Sequence, residues 1–413
     1  RDLVRSRGLG DVYKRQKYSN KMERKIFKRK LKLFSTDPHD GTDAYLRLLK
    51  FKNLLKNNII VIIAVLGAII TCFFVPPDKE YLNYVSYKTI LCLLSLMLVV
   101  RGLKDCRFFG IMSGKILDKI SDRRAIATVL IFLPAFFALF ITNDIATITF
   151  IPFAIIMLSQ AEANDLIPFV VIMQTMAVKL SGIVSPLGNA QNLFLIDYYD
   201  FDFFWFVKNL WPLALAGYGL TFIMCLFVKK GKLNPPPVGE YKLPKFELLI
   251  YFVMFVFIIL SIFDVLPYYI VTPIILVVML FVHPRSYKKA NYGVIIMFTA
   301  FFVMSGNFLR MPSVNGFLTK IIAGNELWLS ALASQLLTNN PVALVFPTFS
   351  KNTVSLMYGI NIGKYGTAPL NNYMVMSLER KYDVKKHFVL KLLAVNFLYF
   401  LVLFGVAALV VYL

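Results

Sequence analysis

Long apolar runs, separated by short polar or basic stretches, recur from residue 57 to the end of the 413-residue chain. Several are long enough to cross a hydrocarbon core of roughly 30 Å as helices, and the alternating segments of about ten residues that mark a transmembrane β-barrel are not seen. The pattern predicts a first span over 58–75, ended by Pro76-Pro77, a second over 82–100, and an amphipathic interfacial helix over 106–120. Between 125 and 160 lie two apolar arms interrupted by Thr142-Asn143-Asp144, a triplet that a continuous lipid-facing helix would carry only at considerable cost. This segment reads as a re-entrant hairpin with its tip at the triplet. The next run, 166–195, is broken by Ser185-Pro186-Leu187-Gly188-Asn189-Ala190-Gln191-Asn192. Irregular backbone at membrane depth persists only where it lines a cavity or is buried in protein. A span over 209–228 follows.

The order then repeats. After a linker, 231–245, carrying Pro235-Pro236-Pro237, the pattern predicts spans over 246–263, 267–282 and 291–306 and an interfacial helix over 312–322. A second hairpin covers 327–349 with Thr338-Asn339-Asn340-Pro341 at its tip, a second broken helix covers 354–378, and a last span covers 389–413. Pro152 and Pro347 follow the two tips at similar spacing. Counted with basic loops inside, the first unit starts in-to-out and the second out-to-in, so the two repeats are inverted. The fold class expected is therefore an all-α polytopic membrane protein of two inverted repeats, each with a re-entrant hairpin and a broken transmembrane helix. The units are 57–230 and 267–413, joined by the linker 231–245 and a linking span over 246–266.

Composition agrees with lipid as the main solvent, since 58% of residues are hydrophobic and only 16% charged. The net charge of +22 is concentrated at one end: residues 1–56 hold 17 Lys/Arg against 6 Asp/Glu. The rest of the positive charge sits in short loops, as the positive-inside rule asks of a cytoplasmic side. No basic domain with interleaved aromatics is present, so nucleic acid is not an expected partner. Residues 1–16 include Asp11-Val12-Tyr13-Lys14-Arg15-Gln16, which reads as the translation of a sequencing-library adapter. They are set apart from the fold, Met22 is the expected start, and 17–56 is expected to be a basic cytoplasmic segment at anionic headgroups. Cys72, Cys92, Cys106 and Cys225 have no metal-ligand spacing and read as packing residues.

The candidate chemistry lies at the tips and breaks. Asn143 or Asp144 in the first hairpin, and Asn340 before Pro341 in the second, are expected to cap the helical arm that follows. Two half-helix N-termini would then face the midplane and favour an anionic or strongly polar substrate. The expected substrate or ion site comprises Thr142, Asn143, Asp144, Gly188, Asn189, Gln191, Asn192, Thr338, Asn339, Asn340, Lys364, Gly366, Thr367 and Asn371. Taken singly, each tip could be a plain helix cap and each break a kink. Of the two intramembrane lysines, Lys364 is the better ligand candidate, while Lys179 is expected to snorkel or to pair with an acid.

On Asn143-Asp144 with Pro152, Gly188-Asn189-Ala190-Gln191-Asn192 and Asn339-Asn340-Pro341, the chain resembles the ion transporter superfamily over most of 57–413. That superfamily includes arsenite permeases, sodium-proton antiporters of the ArsB/NhaD type, and citrate and dicarboxylate symporters. The resemblance implies a scaffold domain and a transport domain with opposed hairpins and unwound helices, and a homodimer as partner. Dicarboxylate symporters carry Ser-Asn-Thr at both tips, where this chain has Thr-Asn-Asp and Thr-Asn-Asn, a departure that bears on coupling ion and substrate. The function expected is a secondary active transporter, not an enzyme, moving a small anion or polar solute across the cytoplasmic membrane with no cofactor beyond a coupling proton or sodium ion. The competing readings are sodium-proton antiport, arsenite-type efflux, an ion channel and a membrane enzyme acting on lipid-linked substrates. The basic-loop pattern places the N-terminus and the loops 101–124, 229–245 and 380–387 inside, and the C-terminus outside after nine spans and two hairpins. A single cysteine introduced near Leu413 is therefore expected to react with a membrane-impermeant maleimide from the outside; modification only from the inside would refute this topology.

Overall fold

The computed structural model describes residues 59–233, 243–366, 369–382, 384 and 387–412. The described chain is nearly all helical, with 19 α-helices and, among the described residues, no β-structure beyond a single bridge between Asp122 and Lys232. Helix α1 (Ile59–Phe74) stops just before Pro76-Pro77, as the missing proline N–H dictates, and a single turn, α2 (Tyr81–Tyr84), leads into α3 (Tyr87–Asp105). Helix α3 starts later than the hydropathy suggests because Ser86 is its cap, the hydroxyl accepting the Thr89 N–H at 3.1 Å. The segment expected at an interface forms α4 (Phe108–Leu117), which buries Phe109, Ile111 and Leu117 beside α5 (Arg123–Phe137) and α6 (Asn143–Gln160). The run then breaks into α7 (Ile167–Val184) and α8 (Ala190–Tyr199) before α9 (Phe203–Leu226).

Beyond the linker come α10 (Lys245–Ile262), α11 (Tyr268–Val282), the short α12 (Arg285–Lys289), α13 (Tyr292–Arg310) and α14 (Pro312–Ile322). Helices α15 (Glu326–Leu337) and α16 (Asn339–Val345) meet at Thr338, and a 3-10 turn, Phe346–Phe349, extends α16. The second interrupted run is α17 (Thr353–Gly363) and α18 (Pro369–Tyr382), and α19 (Phe388–Tyr412) ends the described chain.

Six described helices, α6, α7, α9, α10, α13 and α19, are long and apolar enough to cross a membrane, and the protein is a multi-pass membrane protein. The expected count of nine spans differs for physical reasons. Helices α1 and α11 are shorter than a full crossing, and α3 carries Lys88, Arg101, Lys104 and Asp105. Helix α6, expected as one arm of a hairpin, is itself long enough to cross.

Burial sorts the helices. Large apolar side chains stay exposed on α1 (Phe73, Phe74), α10 (Phe246, Leu249), α11 (Phe281) and α19 (Leu390), the faces suited to lipid. By contrast α7 and α17 are buried along almost their whole length. Close approach makes this feasible: a Cβ on Gly359 would run into Ser330 Oγ and the Leu327 carbonyl of α15, so glycine lets the two backbones touch. Contacts recur between the halves of the chain, α1 packing on α13 and α3 on α11, and α6 on α18 and α16 on α8.

The start of the linker is tied down at Asp122, the cap of α5, whose carboxylate accepts N–H groups from Ala125 at 3.0 Å and Gly231 at 3.4 Å. Those donors, Ala125 foremost, hold its carboxyl below the ordinary value of 3.8. A depressed carboxyl stabilises the fold above its unfolded pKa, and the contribution is lost as pH falls through the folded value. The Gly231 amide is therefore expected to keep its protection from hydrogen exchange, corrected for intrinsic rate, down to about pH 4, and to lose it only below the depressed value. Asp122→Ala should remove that protection at every pH; an unchanged Gly231 amide would show that Asp122 does not anchor the linker.

Candidate functional site

Both tips form without the caps expected of them. Thr142 is the N-cap of α6 and makes no side-chain cap bond, while Asn143 and Asp144 lie inside the first turn. Asn143 is engaged elsewhere: its Nδ2 donates to Asn189 Oδ1 at 2.8 Å, and its backbone N–H donates to the Gly188 carbonyl at 3.0 Å. At the second tip Thr338 takes a φ of +73°, a left-handed conformation uncommon for a β-branched residue, and its hydroxyl also makes no cap bond to α16. Neither helix start is closed by a side chain of its own.

The break after α7 is held by hydrogen bonds from its own polar residues. Ser185 Oγ donates to the Leu139 carbonyl at 2.5 Å and accepts the N–H groups of Leu187 at 3.2 Å and Gly188 at 3.3 Å. Asn189 Nδ2 donates to the Gly182 carbonyl at 2.5 Å, and Asn192 Nδ2 donates to Gly182 at 2.7 Å and Ile183 at 3.1 Å. The last carbonyls of α7, which have no partner within the helix, are thus closed by two side-chain amides. Asn361 of α17 donates to Asn192 Oδ1 at 3.2 Å and joins the two interrupted runs.

A cavity of about 320 Å³ opens where these parts meet. Thr142, Asn143 and Asp144 line it from the first tip, Gly188, Asn189 and Gln191 from the first break, and Asn339 and Asn340 from the second tip. Arg101 and Lys104 at the end of α3, together with Lys289 and Asn291, form one margin, and Met374 of α18 also reaches it. Arg101 Nε and Lys289 Nζ bind Asp105 at 3.2 and 2.8 Å, whereas Lys104 has no ion-pair partner among the described residues. Asp144 is exposed to the cavity, and no cation pairs with it among the described residues. Two buried polar atoms on the wall have no partner among the described residues: Gln191 Nε2, on a side chain only 1% exposed, and Asn143 Oδ1. One offers a donor and the other an acceptor to a bound molecule.

The remaining sequence candidates lie outside this wall. Thr338 is the buried turn beneath the second tip, and Asn192 is buried behind the first break. Lys364 caps the end of α17 and is buried away from the cavity, its Nζ without a hydrogen-bond partner among the described residues, and Gly366 packs against Gln335. Thr367 and the side chain of Asn371 lie outside the described residues. Sequence reasoning used Arg101, Lys104 and Lys289 only to orient loops; their clustering at span ends in both halves was the available signal for a charged cavity margin.

A family model described as citrate transporter matches residues 52–369 of the chain. An uncharacterized transporter of Methanocaldococcus jannaschii is 28% identical over 308 residues, 73% of this chain and 83% of that protein. The Escherichia coli inner membrane protein YbiR is 24% identical over 305 residues, 72% of this chain and 81% of its own length. The pair Asn143–Asn189 sits over Gly182, where a Cβ would lie 2.4 Å from both amide nitrogens. Gly182→Ala is accordingly expected to force the pair apart and to lower stability by about 1–3 kcal/mol, whereas Gly219→Ala, which meets open space, should not. Thermal unfolding of the purified variants checks this, and equal midpoints for the two would show that the pair is not tightly seated.

Proposed function

The chain belongs to the citrate transporter family and is a membrane transporter with a small-molecule or ion substrate, and from that premise we propose that it is a secondary active transporter that carries a small anion by alternating access, coupled to protons. The observation that carries this reading is the cavity itself, where two tips and a break from distant parts of the chain converge beneath a cationic margin. Arg101, Lys104 and Lys289 outweigh Asp144, even with Asp105 neutralising part of their charge. Such a margin concentrates anions at its mouth. Inside, the uncapped start of the 18-residue α6 presents a positive dipole end, and Gln191, Asn189, Asn339 and Asn340 offer polar contacts. Because α16 has only seven residues, the second tip acts through its two asparagine amides more than through a dipole.

In this reading the two units are inverted repeats and the paired packing of α6 on α18 and α16 on α8 is the mark of their two-fold relation. The basic margin then faces the cytoplasm, with the N-terminus on the same side, and the cavity is the inward-open state. The similarity to an inner membrane protein of Escherichia coli supports the cytoplasmic membrane as its location.

Asp144 is the proton site of the proposal. It is the chief difference between the tips, since the second tip has Asn340 in its place, and it meets the cavity without a cation to fix its charge. Protonating it makes the cavity more positive and draws the anion in; losing the proton helps expel it. The test is uptake of a panel of citrate, dicarboxylates, phosphate and arsenite into proteoliposomes under imposed proton or sodium gradients. A proton gradient is expected to drive accumulation of at least one anion, with saturation and counterflow. Asp144→Asn leaves the uncapped helix start at Thr142 unchanged and is expected to keep counterflow while losing at least about tenfold in gradient-driven accumulation, the scale of one pKa unit of coupling. Unchanged pH dependence in that variant would remove Asp144 from coupling, and flux without saturation or counterflow would favour a channel.

A further inference from the structure

Lys179, on α7, does not pair with an acid among the described residues. Its ammonium donates to three neutral oxygens of the second unit: the Lys364 carbonyl at 3.0 Å, Asn372 Oδ1 at 3.0 Å and Asn396 Oδ1 at 2.9 Å. A lysine ammonium has three donors, so all are used. The Lys364 carbonyl belongs to the cap residue of α17, the negative end of that half-helix dipole. The two amides are turned toward the ammonium by their own NH2 groups, Asn372 donating to the Gly366 carbonyl at 3.3 Å and Asn396 to the Leu392 carbonyl at 2.8 Å. The Tyr365 ring lies 5.6 Å from the same nitrogen and stacks on Tyr399, adding an electron-rich face.

Neutral carbonyl and amide oxygens converging at the broken end of a half-helix form the kind of site at which a transporter coordinates an alkali cation. We infer that the Lys179 ammonium is a tethered monovalent cation that fills this oxygen cage, so that the second unit binds no coupling metal ion there. Charge distinguishes this arrangement from ordinary capping. At the matching end of α7 the carbonyls of Gly182 and Ile183 are closed by the neutral amides of Asn189 and Asn192. At α17 the closing group is a full charge reaching across from the other unit.

The consequence for coupling rests on the transport reading above, but the cage is a binding site and is tested as one. Thermal unfolding of the purified full chain is measured for wild type, Lys179→Met and Lys179→Gln in sodium, potassium or ammonium chloride, with choline chloride holding ionic strength constant. The wild-type midpoint is expected to be the same in every salt. Lys179→Met should fall by at least about 3 °C in choline and recover saturably with a small cation, ammonium or potassium foremost, because those ions resemble the lost group in size. Lys179→Gln keeps N–H donors without the charge and should also gain cation dependence. A Met or Gln variant as stable as wild type and indifferent to salt would overturn the inference, and so would variants that no cation rescues. Absence of transport by the wild-type protein in proteoliposomes, with the cation response of the variants intact, would instead count against the transport reading alone.

Discussion

Everything in this molecule turns on one constraint: a helix interrupted within a membrane strands backbone carbonyls on one side of the break and N–H groups on the other, and hydrocarbon offers them no partners. The chain interrupts two helices, at α7/α8 and α17/α18, and buries the arms before the breaks, α7 and α17, among the others. The stranded groups then dictate the polar inventory of the core. Asn189 and Asn192 serve the end of α7, Lys179 serves the end of α17, and Asn361 joins the two through Asn192. Small residues follow from the same need, since Gly182 and Gly359 let backbones and amides approach where any side chain would collide.

On the cavity wall, the polar groups left without partners among the described residues are the uncapped start of α6, Gln191 Nε2 and Asn143 Oδ1. A cavity lined by unpaired donors and acceptors is costly when dry, and a polar solute or water relieves that cost. The same accounting separates the two lysines that the sequence put side by side in interest. Lys179 has its three acceptors and works as structure; Lys364 contributes its carbonyl to that structure, while its own ammonium stays apart from the cavity wall.

Order and type of element were legible in the sequence because the signals are local. Pro76-Pro77, the Thr-Asn triplets and the Gly/Pro/Asn runs mark where helices stop, and the observed ends fall within a few residues of them. Partners were not legible where they depend on long-range closure. Nothing near Lys179 in sequence points to Asn396, 217 positions away, and a rule that intramembrane lysines pair with acids misdirects when the partner is a helix end. The tips were misread for a related reason. Asn143 is a strong capping residue by type, but pairing with Asn189 takes its amide away from the cap. Amphipathic periodicity marked α4 as a helix with one apolar face, but not the partners of that face, Phe137 and Phe150, whose rings lie 5.3 and 6.1 Å from that of Phe109.

The distribution of charge across the two halves gives the fold a direction that backbone similarity alone cannot. Asp144, the acid at a tip, and Lys179, the cation bound at the second break, both come from the first half; the second half has Asn340 at its tip and turns neutral oxygens toward Lys179, while the Nζ of its own Lys364 makes no hydrogen bond among the described residues. An alternating-access cycle between equivalent units would have equal energies in its two open states. In the proposed transport cycle, having an acid at one tip and an amide at the other breaks that equality, because one opening would expose Asp144 to a side whose proton activity differs from the other. Lys179, bonded to the cap residue of α17 and to α18 and α19 at once, ties the interrupted helix of the first half to three elements of the second. On the proposed reading the two are complementary: a proton at the tip would supply a variable charge to the cavity, and the fixed cation at the break would keep the carbonyl end of α17 from recruiting a second ion.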